Sequence, residues 1–102
     1  MDIIEKFKRW KDAYDLYVSN YFKKSEDTLI CKNILIKGIA IISEGIITDN
    51  KQFFRKNKEF LTMIKMLLFK DPKLNSFEKK LIKETLMQYK VYSILKIQGM
   101  KE

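Results

Sequence analysis

The chain of 102 residues has no histidine and a single cysteine, Cys31. Without histidine there is no Ser-His-Asp triad, no Cys-His dyad and no imidazole-ligated zinc. One cysteine forms no internal disulfide and no Cys-pair metal site. No cofactor and no metal are therefore expected. A lone thiol fits a reducing compartment, and the expected location is the cytoplasm. There is one proline, Pro72, and only three glycines, Gly38, Gly45 and Gly99. No Gly-rich phosphate loop can be assembled from them. Arginine is also scarce: Arg9 and Arg55 are the two among 21 basic residues. Base-specific recognition of nucleic acid, which usually relies on Arg, Asn or Gln on a presented helix, finds little material here. Long uncharged apolar runs are missing as well. The most apolar stretch, Leu29 to Ile47, is interrupted by Lys32, Asn33, Lys37 and Glu44, so no membrane span is expected. Acidic Asp2 and Glu5 stand where a secretory leader would be basic.

What is present is apolar material for one core. Hydrophobic residues make up 46% of the chain and aromatics 13%, enough to fold as one domain over residues 1–102. The expected fold class is all-α, a single-domain antiparallel four-helix bundle. The first helix is expected from about Ile3 to Lys24. Ile3, Phe7, Trp10, Tyr14, Tyr17 and Tyr21 recur at spacings of three and four, one continuous inward stripe. Asp2 and Glu5 make a capping-box-like start.

The second helix is expected from about Thr28 to Thr48, with N-cap candidates in Ser25-Glu26-Asp27. Its many isoleucines also suit strands, and a hairpin turning at Glu44-Gly45 is the rival. Asn33, Lys37, Ala40, Glu44 and Thr48 decide for a helix, because their spacing makes one narrow polar face instead of alternating. Gly38 is expected to admit a neighbouring helix closely; Gly45 is expected to loosen or end this one.

A third helix is expected from about Asn50 to Lys70, capped by Asp49 and Gln52. Its core stripe is Phe53, Phe60, Ile64 and Leu67, flanked by Phe54, Leu61 and Leu68. Asp71-Pro72 breaks the chain. Asn75 and Glu78 then cap a fourth helix running to about Gln98, with Gly99 as its C-cap. Phe77, Leu81, Tyr92 and Leu95 are expected to face inward, joined by Ile82 and Tyr89.

Charge is unevenly distributed. Residues 1–27 and 28–50 are each neutral, residues 51–73 carry +5 and residues 74–102 carry +3, which together make the formal +8. Segregated charge produces a directed field that attracts acidic or anionic partners. On the third helix Lys51, Arg55, Lys58 and Lys65 follow spacings of 4, 3 and 7, with Glu59 able to pair with Arg55. On the fourth, Lys79, Lys83 and Lys90 share one side, with Lys73 and Lys80 near its start. These seven side chains, Lys51, Arg55, Lys58, Lys65, Lys79, Lys83 and Lys90, form the expected basic binding surface; the alternative is an ordinary solvated lysine face.

A second surface is apolar. Met87, Val91 and Ile94 lie off the inward stripe and either widen the core contact or form a partner face. Met63 and Met66 could add adaptable contact, and Trp10 is either core edge or anchor. Carboxylates such as Asp12 and Asp15, one turn apart, and Glu26 and Asp27 read as helix-solvating groups. No acid–base constellation is legible, and no enzyme is expected.

Two passages carry a family likeness. Phe60-Leu61-Thr62-Met63-Ile64 is followed by a short polar turn and then by Asn75-Ser76-Phe77-Glu78-Lys79-Lys80-Leu81-Ile82. An apolar third helix, a turn and a polar-capped helix opening on an aromatic and acids before Leu-Ile resemble the immunity proteins of pediocin-like (class IIa) bacteriocins. Length and basic charge are similar too. The resemblance implies a cytosolic four-helix bundle without enzymatic activity. It would act at the membrane permease that serves as bacteriocin receptor, with specificity in its C-terminal half. The expected function is therefore a protein-binding module with a membrane-associated protein partner. Two alternatives stand beside it. One is a small basic subunit contacting nucleic-acid phosphates, whose binding would fall steeply with salt. The other is a phage-encoded inhibitor of a host enzyme.

Overall fold

The computed structural model describes residues 2–20 and 26–100. All regular structure there is helical. Five helices follow one another: α1 (Ile3–Asn20), α2 (Glu26–Thr48), α3 (Lys51–Arg55), α4 (Asn57–Phe69) and α5 (Ser76–Met100). Tyr21, Lys24 and Ser25, which belong to the expected end of the first helix and the expected second cap, lie outside the described residues, whereas Glu26 and Asp27 lie within α2 and do not precede it.

The local signals explain most helix boundaries. Asp2 Oδ1 accepts the Glu5 amide at 2.9 Å and opens α1. At α5 the capping box is reciprocal: Asn75 Oδ1 accepts the Glu78 amide at 2.8 Å, and Glu78 Oε1 accepts the Asn75 amide at 2.9 Å. The break before α5 is where proline demands it. Pro72 is flanked by two left-handed residues, Asp71 at φ 55° and Lys73 at φ 57°.

Three boundary expectations are corrected. The cap after α2 is Asn50, whose Oδ1 accepts the Phe53 amide at 3.0 Å. Asp49 instead ends α2, in the left-handed conformation at φ 54°. Gly45 does not end α2, which continues to Thr48. Gly99 is no left-handed cap, because α5 runs through it to Met100.

The helix expected over Asn50–Lys70 is two helices. Lys56, at φ −83° and ψ 5°, closes α3 and opens α4. Its amide donates to Phe53 O at 3.1 Å, a tightened last turn, while its carbonyl accepts from Phe60 at 3.0 Å and starts the next helix. The break lets Phe53, Phe54 and Phe60 all be fully buried. The chain thus has five helices and not four.

Helix directions follow from the cross-contacts. Lys6 pairs with Glu44, and Trp10 reaches Ile34, so α1 and α2 are antiparallel. Cys31 Sγ donates to Leu67 O at 3.3 Å while an added Gly38 Cβ would meet Ile64, so α4 opposes α2. Lys32–Glu78 and Lys96–Asp49 tie the starts and ends of α2 and α5 together, which makes those two parallel. α2 is the central element, packed on α1, α4 and α5, whereas α1 and α5 barely meet. This position explains why the middle of α2 exposes only the narrow Asn33, Lys37 and Ala40 strip, with Glu44 at its edge, while Leu29 near its start and Ile47 and Thr48 at its end are open to solvent. The hairpin alternative falls with it.

An aromatic spine crosses the core. Phe7 and Trp10 stack on Phe60 at 4.6 and 4.7 Å; Phe60 meets Phe53 edge-on at 5.8 Å, and Phe53 meets Tyr89 at 5.0 Å. It joins α1, α4, α3 and α5. Gly38 and Gly45 are the two places where backbone must be approached closely. A methyl at Gly38 would stand 2.8 Å from the Trp10 indole, and one at Gly45 would overlap the Phe53 ring.

Candidate docking surface

The inward face of α5 is not the expected one. Ile82, Thr85, Tyr89 and Ser93 are buried and Leu86 partly so. Phe77, Leu81, Tyr92 and Leu95, expected to face the core, are exposed. The cause is steric and topological. Thr85 and Ser93 are small, which lets α5 approach α2 and α3 closely. With α1 and α5 hardly in contact, Leu81, Tyr92 and Leu95 stay largely open to solvent, the Tyr92 ring lying 6.5 Å from that of Phe54.

Tyr89 fixes the rotation. Its hydroxyl donates to Phe53 O at 2.8 Å, in the buried interior. Burial pushes its phenol far above the ordinary value of 10.0. Lys96 to Asp49 at 3.0 Å and Lys32 to Glu78 at 2.9 Å hold the two ends of the same contact. Glu78 is held below its ordinary value, first by the Asn75 amide and then by Lys32.

Turned this way, α5 presents a second apolar face to solvent. Met87, Val91 and Ile94 are 58%, 49% and 49% exposed. They do not widen the core. At about 100° per residue, these three and Leu95 lie on the side opposite Ile82, Tyr89 and Ser93. Lys79, Lys83 and Lys90 are all exposed and fall within about 40° of one another, forming one border of the row, while exposed Lys80 and Glu84, one turn apart, stand within the row near the start of α5. The other border carries Leu81 and Tyr92.

The remaining basic residues do not form one row. Lys51 and Arg55 belong to α3, Lys58 and Lys65 to α4, and the break at Lys56 interrupts the helical phase between them. All four are exposed. Arg55 and Lys56 instead gather with Lys8 of α1 around a shallow cleft of about 410 Å³, with Ile4 and Gln52. Lys8 and Lys56 were missed by sequence reasoning, because only tertiary contact joins α1 to α3. Lys65 borders a separate apolar dent of about 420 Å³ with Met66 and Phe69. Met63, by contrast, is buried. Glu59 pairs with Lys11 across the α1–α4 contact and holds the ammonium above its ordinary value. Lys73 pairs locally with Asp71 at 3.2 Å.

Among the described residues no group of carboxylates and thiols is placed to hold a metal ion, and no helix is long and apolar enough to cross a membrane. Asp12 and Asp15 are exposed. No family model, no curated protein and no solved structure matches this chain.

Proposed function

We propose that the protein is a non-enzymatic, cytoplasmic protein-binding module that docks through the outer face of α5. The observation that supports this most is the uncovered apolar row Met87, Val91 and Ile94 beside the lysine border Lys79, Lys83 and Lys90. An apolar centre desolvates on contact and supplies affinity, while a one-signed border steers an acidic partner and sets orientation. The face lies in the C-terminal half, where the resemblance to immunity proteins of pediocin-like bacteriocins puts specificity. The reading is therefore an immunity protein on a four-helix-bundle scaffold with its third helix broken, acting at a membrane permease receptor.

The test is expression in a strain sensitive to pediocin-like bacteriocins. Protection against at least one member of a panel is expected, and Val91→Glu should abolish it while leaving helicity and melting unchanged. No protection across the panel would overturn the immunity reading. A phosphate-binding reading draws on the gathering of Lys8, Arg55 and Lys56 around one cleft. It predicts binding to duplex DNA at low salt that weakens log-linearly with salt and loses slope on Lys8→Gln and Lys56→Gln.

A further inference from the structure

A second site lies on the other flank of α2. Ile34 faces α1, where its carbonyl accepts the Trp10 indole N–H at 2.7 Å, whereas Lys32 faces α5 through Glu78. Along the α1 flank runs an open groove of about 590 Å³. Its walls are chiefly Ile30, Ile34 and Ile41 of α2 and Ala13 of α1, over the edge of Trp10, with the exposed Asn33 amide among them. The indole N–H is already bonded, so the floor offers ring carbon and no open donor. Ala13 and Ala40 are exposed and short, which keeps the groove from filling with its own side chains.

The lip is cationic. Among the described residues Lys6, Arg9 and Lys37 line the groove, and no acid does. Lys6 is neutralised by Glu44 at 2.7 Å, which leaves the charges of Arg9 and Lys37, both exposed. An apolar trough with two cations at its edge is complementary to a ligand that is apolar along its length and anionic at one end. The walls run from Ile30 to Ile41, about 16 Å along the helix axis. The volume lies in the range of small-molecule sites. Ten described residues line the groove, well short of the roughly 20–30 per side of a stable protein interface.

We infer that the α1–α2 groove binds a single-chain amphiphilic anion, its carboxylate or phosphate between Arg9 and Lys37 and its unbranched alkyl chain running from there along Ile34 and Ile30. This does not rest on the docking role of α5, which lies on the opposite flank of α2.

Trp10 is the one tryptophan of the chain, so its emission reports on the groove floor directly. The experiment titrates the intact protein with dodecanoate and with dodecyl phosphate below their micellar concentrations, beside dodecanol and phosphatidylglycerol vesicles. A saturable change in Trp10 emission with at least one monomeric anion is expected, with a much weaker response to the alcohol. Arg9→Gln with Lys37→Gln should weaken binding roughly fivefold. Ala13→Leu, a helix-compatible change at an exposed position, should abolish it with circular dichroism unchanged. No response to either monomer, an equal response to dodecanol, or binding untouched by both variants would overturn the site. So would association with vesicles alone, which would mark a membrane surface in place of a groove.

Discussion

At the scale of single residues, the three glycines separate packing from propensity. In a helix interior, alanine is favoured over glycine by about 0.5–1 kcal/mol when nothing else changes. Gly99 lies in α5 with no heavy atom within 4 Å of a would-be Cβ. Gly99→Ala should therefore raise stability by about 0.5 kcal/mol. At Gly45 the added methyl overlaps the Phe53 ring, which is fully buried between neighbours and cannot retreat. Overpacking outweighs propensity there, and Gly45→Ala should lower stability by about 1–3 kcal/mol. Urea midpoints of the two variants should move in opposite directions. Tyr89 gives a second residue-scale expectation. Its phenol is held neutral in the fold, well above 10.0, by burial. Below the unfolded value both states are neutral, and stability is intact. As pH rises past about 10 the unfolded chain ionises first, and stability falls. Tyr89→Phe loses the bond to Phe53 O, about 1 kcal/mol near neutrality. Yet its urea midpoint should drop less than that of the wild type between about pH 9 and about pH 11. A midpoint equally pH-sensitive in both proteins would place the alkaline transition elsewhere.

At the scale of elements, the caps that open α1 and α5 are written in the sequence and the rotation of α5 is not. Asn75 and Glu78 satisfy each other's amides, so their spacing sufficed to start α5. Asn75→Ala should lower stability by about 1 kcal/mol, read from thermal melting, because it frees the Glu78 amide. Glu78 itself is held ionised below its ordinary value of 4.5, so its contribution is present above that pH and is lost as pH falls through the lower folded value. The α1 stripe and the polar strip of α2 were legible because each helix has one clear contrast between faces. α5 has two apolar faces. Ile82, Leu86 and Tyr89 form one, and Phe77, Leu81, Met87, Val91, Ile94 and Leu95 spread over the other. Local pattern cannot choose between them. The choice was made by Thr85 and Ser93, small enough to permit close approach, and by the Tyr89 bond to α3, a contact between residues 36 apart. The break at Lys56 was equally hidden, since Asn57, Lys58 and Glu59 all tolerate helix and only the burial of Phe53, Phe54 and Phe60 together demands a change of phase.

At the scale of the whole molecule, the body measures 49 × 28 × 21 Å and carries a formal charge of +8. The cross-helix ion pairs Lys6–Glu44, Lys11–Glu59, Lys32–Glu78 and Lys96–Asp49 balance charge chiefly where α1, α2 and α4 meet and at the two ends of α5. The outward lysines of α3 to α5 remain, and a compact body of one sign repels itself. Such partly exposed pairs each contribute little to stability. Salt weakens them slightly, while it screens the repulsion among all the surplus charges at once, since the Debye length falls well below the long dimension of the body. The balance favours screening. Raising sodium chloride from about 20 to about 300 mM should therefore raise the urea midpoint. Replacing Lys51, Lys58, Lys65 and Lys83 together by Gln should raise it at low salt and flatten its salt dependence, because it halves the surplus without touching any of the four cross-helix pairs. A midpoint that falls with salt in the wild type would mean that the ion pairs dominate. In that case the lysines would act as struts of the fold, and the idea that they are held in reserve for an anionic partner would lose its energetic basis.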